Sequence, residues 1–242
     1  MIVPAYNEAE NIGRVIEEWY PVLERCSSDP DSRLIIIDDG STDDTSKIAR
    51  GYIQNYDRLE VISRKNSGHG ASIYYGYGYA IEHGADYVFQ TDSDGQTSAS
   101  EFEGFWNERN DNDVIIGDRY NRGDGVARRF VSRSLRLVIR VIFGVRACDI
   151  NTPFRLMSRQ ALTDALAYLP EGYNLTNVAL TAVFASMAEG KLGEDKRIRL
   201  KYLPITFKPR QGGTNSINII KIIKLGIKAI RELGDIRKKM SV

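Results

Sequence analysis

At 242 residues, with 42% hydrophobic and 27% charged side chains, the chain has the composition of a folded domain and excludes wholesale disorder. Cys26 and Cys148 form neither a CxxC pair nor a disulfide framework, which excludes a secreted disulfide scaffold and leads us to expect a reducing compartment. A formal net charge of +1 gives no average pull toward an anionic partner, yet residues 208–242 carry nine basic side chains against only Glu232 and Asp235. No charged leader followed by an apolar run opens the sequence. No stretch reaches the roughly 18 uninterrupted apolar residues of a spanning helix, so any membrane is expected to be met from the side.

Apolar runs alternate with helical patterns in a βαβα rhythm, which predicts an α/β fold with a mostly parallel sheet and helices on both faces. Strands are predicted near Ile2 to Val3, Leu34 to Asp38, Leu59 to Ser63, Tyr87 to Thr91 and Val114 to Gly117. Helices are predicted between them, over Ala9 to Arg25, Asp43 to Gln54, Gly70 to Glu82 and Ala99 to Arg109. The first strand is short by several residues, which puts its expected start upstream of Met1.

Every unusual polar cluster follows one of these strands. "PAYNE" follows the first, "DDGSTDD" the second, "RKNSGHG" the third, "TDSDGQ" the fourth and "GDRYNRG" the fifth. Ligands of open α/β sheets bind beyond the carboxyl ends of the strands, where helix N-termini point into the crevice, so a phosphorylated ligand is expected there.

Beyond Gly125 the pattern changes. Arg129, Arg133, Arg136 and Arg140 step by four, three and four, one stripe of a helix, and residues 126–146 hold six arginines and no acid. Such a stripe is either a solvated face or one turned to phosphate or membrane. The segment "INIIKIIKLGIKAIREL" is a second amphipathic helix, with Lys221, Lys224, Lys228 and Arg231 opposite a wide apolar face. It suits packing on the body and lying on a bilayer surface equally. We therefore expect a main domain over residues 1–210 and a basic amphipathic helix over 211–242.

In "QTDSDGQTS", Asp92, Asp94 and Gln96 offer oxygen ligands at a strand end, which suits a hard cation such as Mg²⁺ or Mn²⁺ bridging to diphosphate oxygens. A calcium loop of the EF-hand type starting at Asp92 would find Glu103 at position twelve. It fails at position six, where Thr97 replaces the required glycine, and in having a strand before it. A plain polar turn is the other reading of these residues.

Taken in order, "IVPAYNEAENI", "IIDDGSTDDT", "NSGHGASIYYGYGYAIEHGADYVFQTDSDGQ" and "NTPFRLMSR" resemble successive blocks of the family-2 inverting glycosyltransferases with the GT-A fold. Within that family the sequence is most similar to the dolichol- and polyprenyl-phosphate sugar synthases, from Met1 to about Ser216. The resemblance implies that Pro4, Ala5, Tyr6 and Glu8 line a nucleotide-sugar pocket, that Asp39 contacts base or ribose, and that Gly68 lets the backbone approach the donor, with Gly70 beside it. It implies that Asp92, Asp94 and Gln96 hold one divalent ion, Asp92 also facing the nucleotide-sugar and Asp94 acting in catalysis. Asp38 and Asp39 have a plainer alternative in helix capping, although Ser41 and Asp43 supply that without them. His69 and His83 read as surface residues, and Tyr74, Tyr75, Tyr77 and Tyr79 as helix packing.

The acceptor leaves its own trace. A sugar hydroxyl must lose a proton to a carboxylate base, whereas a phosphate monoester is already an anion and needs positive charge to position it. Where a late acidic pair would stand, the chain reads "EGYNLTNVALTAV", with no acid between Glu171 and Glu189. By resemblance, Arg119, Arg128 and Ser132 match an acceptor-phosphate loop, and Arg210 in "KPRQGGTNS" matches the arginine-glycine block that folds over the diphosphate. Asp149 is the one late acid in a suggestive place, as a base or as the ion-pair partner of Arg119 or Arg155. The sequence has "NTPFR" where the relatives carry a cysteine- or serine-glycine-phenylalanine-arginine run, which puts the acceptor pocket in question.

The expectation is a metal-dependent inverting hexosyltransferase working from a UDP- or GDP-linked donor to polyprenyl phosphate. It would sit peripherally on the cytoplasmic face of an anionic membrane, using Arg119, Asp149, Asp94 and Arg210 in the chemistry. The alternatives are transfer to a sugar hydroxyl of a polysaccharide or glycolipid with Asp149 as base, and a non-catalytic GT-A-like module that docks on a membrane. Nucleic acid is not an expected partner, since no aromatics interleave with the basic segments and the sheet loops are acidic.

Overall fold

The structure is a computed structural model that describes residues 1–119, 126–208 and 219–241, with residues 126–132 and 219–228 described by backbone alone. The strands are β1 (Ile2–Ala5), β2 (Leu34–Asp38), β3 (Leu59–Ser63), β4 (Tyr87–Gln90), β5 (Val114–Arg119), β6 (Arg155–Ser158) and β7 (Leu200–Ile205). They form one sheet in the order β3-β2-β1-β4-β6-β5-β7. Pairing is parallel except at β6, which runs antiparallel to both β4 and β5.

Burial follows the two-residue period of the strands. Ile2, Ile35, Ile37, Val88, Val114 and Ile116 face one apolar core, and Val3, Ile36, Leu59, Val61, Phe89 and Ile115 face the other. On the first face lie α3 (His69–Glu82), α6 (Arg159–Leu166) and α7 (Thr176–Ala188), with parts of α5 (Val126–Phe143) and α8 (Ile219–Lys239). On the second lie α1 (Ile12–Cys26), α2 (Thr45–Gly51) and α4 (Phe102–Asn107). Two covered faces explain why most strands read as continuous apolar runs.

The helices explain themselves locally. α1 buries Ile12, Val15, Ile16, Trp19 and Leu23, and its Trp19 ring packs 5.2 Å from Phe89 and 5.8 Å from Phe154, which pins the helix to the sheet. α7 is apolar on every side and buried from Thr176 to Met187, as a helix without a polar face must be. The end of α8 sends Leu233, Ile236 and Met240 into the first core. α2 starts later than its sequence pattern predicts, because Asp43 accepts from the backbone N–H of Ala9 at 3.2 Å and from that of Thr45 at 3.0 Å, so the chain turns before the helix begins; it also ends earlier, at Gly51. The four predicted tyrosines of α3 do pack on the core, Tyr77 completely.

Candidate active site

The loops that follow β1, β2, β3 and β4 gather at the carboxyl edge of the sheet, and hydrogen bonds between them set their arrangement. After β1 the chain takes a left-handed turn at Asn7 (φ 54°), a conformation asparagine adopts more readily than most residues. The Asn7 carboxamide oxygen accepts from the Thr42 N–H at 2.8 Å, and the Asn7 N–H donates to the Ser41 hydroxyl at 3.0 Å. These bonds lace the "PAYNE" loop to the "DDGSTDD" loop. Glu8 is buried, its N–H donating to the Thr45 hydroxyl at 2.8 Å and its carboxylate accepting from the Asn11 side chain at 2.7 Å. Pro4 and Ala5 are buried in β1, while Tyr6, the next residue, is 47% exposed.

Asp38 and Asp39, adjacent at the end of β2, divide two tasks. Asp38 accepts from the Ser41 N–H at 3.0 Å and holds its own loop. Asp39 accepts from the Ser67 N–H at 3.0 Å, the Ser67 hydroxyl at 3.2 Å and the Gly68 N–H at 2.9 Å. It thereby ties the second strand's loop to the start of α3. Gly68 sits at φ 95°, where a side chain would be strained, and it turns the chain into that helix. At Gly70 the close approach is to the chain itself: an added Cβ would lie 2.2 Å from the carbonyl oxygen of Asn174.

Beyond β4 the chain carries Asp92, Asp94 and Gln96. Asp94 accepts from the Gln96 N–H at 3.1 Å. Gln96 donates its amide to the Lys208 carbonyl at 2.9 Å, and the Lys208 N–H returns a bond to the Gln96 carbonyl at 2.7 Å, which fastens this loop to the strand-like exit of β7. The amide nitrogen is committed there, so the amide oxygen is the group left for a cation. The Oδ1 atom of Asp92 is buried and has no hydrogen-bond partner. An anionic oxygen withdrawn from water is costly unless a cation or donor reaches it. Together with an all-oxygen donor set, that orphaned atom fits a hard divalent ion. Close to it is a residue that sequence reasoning set aside: His69 Nε2 stands 3.5 Å away.

Across the sheet, at the end of β5, Arg119 makes a two-pronged contact with Asp149, Nε to Oδ2 at 2.6 Å and an Nη to Oδ1 at 2.9 Å. Asp149 is buried and also accepts from the Asn151 N–H at 3.2 Å. The Arg119 guanidinium lies 4.8 Å from the centre of the Phe207 ring. Arg155, on β6 between β4 and β5, is wholly buried and donates to the carbonyls of Thr152, at 2.6 and 3.2 Å, and Asn177, at 3.3 Å. Burial lowers the proton affinity of its guanidinium, while Tyr77, Asp149, Tyr202 and Asp92 oppose that trend. Arg210 lies outside the described residues, as do the side chains of Arg128 and Ser132, whose backbone belongs to α5.

Asn7, Ser67 and His69 are the neighbours that sequence reasoning missed. A signal existed for the first, since asparagine directly after a strand is a common left-handed turn former. None existed for the other two, whose proximity to Asp39 and Asp92 depends on strand order.

Residues 1–166 match the family described as glycosyl transferase family 2. A dolichyl-phosphate beta-glucosyltransferase (ALG5C) of Trichomonas vaginalis is 27% identical over 178 residues, which cover 66% of this chain and 51% of that protein. The chain thus spans about half the length of that relative. The polyprenol monophosphomannose synthase of Mycolicibacterium smegmatis is 28% identical over 232 residues, 90% of this chain and 80% of its own. Among solved structures, glucosyl-3-phosphoglycerate synthase from Mycobacterium tuberculosis, in complex with Mn²⁺, uridine diphosphate and phosphoglyceric acid, superposes with a TM-score of 0.66. It is 18% identical, with 100% of this chain and 78% of that one covered. That likeness carries the fold, a GT-A-like arrangement. The family match extends over well more than half of the sequence, and on it this protein belongs to glycosyl transferase family 2.

Proposed function

We propose that this protein transfers a hexose, with inversion, from a UDP- or GDP-linked donor to a polyprenyl phosphate. The observation that carries the choice of acceptor is the Arg119–Asp149 pair. Both Asp149 oxygens are engaged by one guanidinium at 2.6 and 2.9 Å, so the late acid orients an arginine and is poorly placed to accept a proton from a sugar hydroxyl. An arginine held in this way is suited to a phosphate monoester, which brings its own negative charge.

In this reading Asp39 and the exposed Tyr6 ring receive the nucleoside, and Asp92 and Asp94 with the Gln96 amide oxygen hold Mg²⁺ or Mn²⁺. When bound, that ion supplies charge neutralisation for the departing nucleoside diphosphate. The acceptor phosphate oxygen attacks the anomeric carbon from the face opposite the leaving group, and Arg119 positions it. Arg128, Ser132 and Arg210 are proposed to add positive charge and a hydroxyl around the two phosphate groups. The relatives' names, a dolichyl-phosphate glucosyltransferase and a polyprenol monophosphomannose synthase, support a lipid phosphate, and the Mn²⁺ and uridine diphosphate of the structural neighbour support the cation and the nucleotide class.

Among the described residues no helix is long and apolar enough to cross a membrane. On α5, however, Leu137 and Val141 are 61% and 74% exposed, one turn apart, within the stripe that carries Arg133, Arg136 and Arg140. Large aliphatics flanked by arginines suit the headgroup region of an anionic bilayer, which supports peripheral placement at the cytoplasmic face.

The test is to incubate the protein with labelled UDP- and GDP-hexoses, Mn²⁺ or Mg²⁺, and a short-chain polyprenyl phosphate. A labelled lipid from which mild acid frees the labelled sugar is the expected product. Label on a free or lipid-linked sugar hydroxyl, with none on the lipid phosphate, would replace this reading by the polysaccharide or glycolipid alternative.

A further inference from the structure

We propose that His69 is a ligand of the divalent cation alongside Asp92, and that its imidazole biases the site toward a first-row transition ion over Mg²⁺. The inference rests on the metal-dependent reading above and adds to it a residue from a different element, the first turn of α3.

Two observations meet at one point. The Oδ1 atom of Asp92 is buried without a hydrogen-bond partner, and His69 Nε2 lies 3.5 Å from that same oxygen. A separation of 3.5 Å is longer than an N–H···O hydrogen bond, for which the usual range ends near about 3.2 Å, so the imidazole does not satisfy the carboxylate directly. It does match two ligands of one ion. Groups bound about 2.1 Å from a common cation at angles from a right angle to slightly wider stand roughly 3.0 to 3.5 Å apart. The His69 side chain is 56% exposed and that of Asp92 26%, so the imidazole is reached from solvent while the Oδ1 atom beside it is covered.

The backbone under His69 is fixed. Asp39 accepts the N–H of Gly68 at 2.9 Å, and the Thr176 hydroxyl donates to the Gly70 carbonyl at 3.0 Å, so the residues on both sides of His69 are held from two elements. The imidazole is therefore delivered to the mouth of β4 by a preorganised turn. Among the described residues, no three side chains of His, Cys, Asp or Glu converge as a ready-made metal cluster. A site that starts from a His–Asp pair leaves the remaining positions to the Asp94 and Gln96 oxygens, donor phosphates and water, as suits a cation that arrives with its nucleotide.

The chemistry of the ligand sets the selectivity. Mg²⁺ favours oxygen and gives up water reluctantly, whereas imidazole nitrogen is a better ligand for transition ions. His69 is thus expected to separate the two classes of ion where a purely carboxylate site would not.

The experiment uses pulsed electron paramagnetic resonance on the untagged full chain loaded with Mn²⁺, alone and with UDP or GDP. The sequence holds two histidines, and the other, His83, lies at the far end of α3, stacked 3.9 Å from the Tyr79 ring. A fourteen-residue helix separates them by about 20 Å, too far for His83 to contribute. The expected result is a histidine nitrogen coupling in the wild type, altered by ¹⁵N-histidine labelling and lost in both His69→Gln and His69→Ala. Mn²⁺ affinity should fall by about tenfold in these variants, with Mg²⁺ affinity, read by competition, changed by less than about twofold. Mn²⁺ bound without a nitrogen coupling, or a coupling that survives in the variants, overturns the role of His69 and leaves the metal-dependent reading standing. No Mn²⁺ bound by the wild type with either nucleotide overturns both. Circular dichroism confirms the fold of each variant, and His69→Gln keeps the comparison informative should His69→Ala be poorly folded.

Discussion

Arg119 and Asp149 are joined by two parallel contacts of 2.6 and 2.9 Å, with side chains only 11% and 2% exposed. Breaking one half of a buried pair strands the other charge. Asp149→Ala is expected to destabilise the fold by about 3 to 5 kcal/mol, read by chemical denaturation. Asp149→Asn keeps the shape and an acceptor for Arg119. If Asp149 orients the arginine, Asn should raise the KM for polyprenyl phosphate by roughly tenfold while the pH profile of kcat keeps its form. A collapse of kcat together with loss of the acid limb would instead mark Asp149 as a base.

Asp39 gathers three donors from the loop that starts α3. Asp39→Asn cannot accept all of them with both of its atoms, so the turn at Gly68 loosens and the nucleoside loses its partner. Donor KM is expected to rise by about tenfold or more, with a stability loss of roughly 1 to 3 kcal/mol. Isothermal titration with UDP and GDP, set beside a thermal melt, separates the two effects. Unchanged nucleotide binding in a folded variant would remove Asp39 from the pocket.

Gly70→Ala tests how closely α3 approaches the turn before α7. Its Cβ would meet the Asn174 carbonyl oxygen at 2.2 Å and the Tyr173 carbonyl oxygen at 2.5 Å, both backbone atoms that cannot rotate away. A loss of about 1 to 3 kcal/mol is expected from overpacking, with a lowered melting temperature. Gly78→Ala on the same helix meets nothing within 4 Å and should be neutral or slightly stabilising, which makes it the matched control.

On the far side of the molecule, the Tyr79 hydroxyl donates to the Glu60 carboxylate. That hydrogen bond, with burial and the carboxylate's charge behind it, pushes the phenol from its ordinary 10.0 up to about 12. The unfolded chain therefore ionises this tyrosine first. The contribution is whole below about pH 10 and is lost as pH rises through about 12. Alkaline unfolding followed by tyrosinate absorbance should show Tyr79→Phe flattening the loss of stability over that window. A wild-type curve that the substitution leaves unaltered would show that the pair has no such role.

Much of this architecture is legible in the sequence because the parallel strands are apolar runs with loops of unusual polarity after them. Leu34–Asp38 and Leu59–Ser63 fall where the pattern puts them, and Asp39 and Asp92 land at strand ends for the same reason. The reversed strand β6 was not legible. Its four residues, "RLMS", carry no period of their own, and antiparallel placement between β4 and β5 is decided by packing of the whole sheet. Arg155 illustrates the limit further. Nothing local marks it as wholly buried, and its partners are carbonyls of Thr152 and Asn177, groups that no composition or spacing reveals. The approach of His69 to Asp92 is invisible for a similar cause, since the two are 23 positions apart and meet only because α3 starts beside the tip of β4.

The reversal at β6 also governs what this framework tolerates. Arg155 stands opposite Gln90 on one side and Ile116 on the other, so the strand is clamped along both edges. Deleting a single residue from 150–154 would slip the register, rotate every side chain of the strand to the opposite surface and drive a guanidinium into an oily layer. Length changes are thus better borne at the periphery than at this seam, where the sheet turns back on itself and a basic first residue is hemmed in by an amide on one flank and an aliphatic on the other.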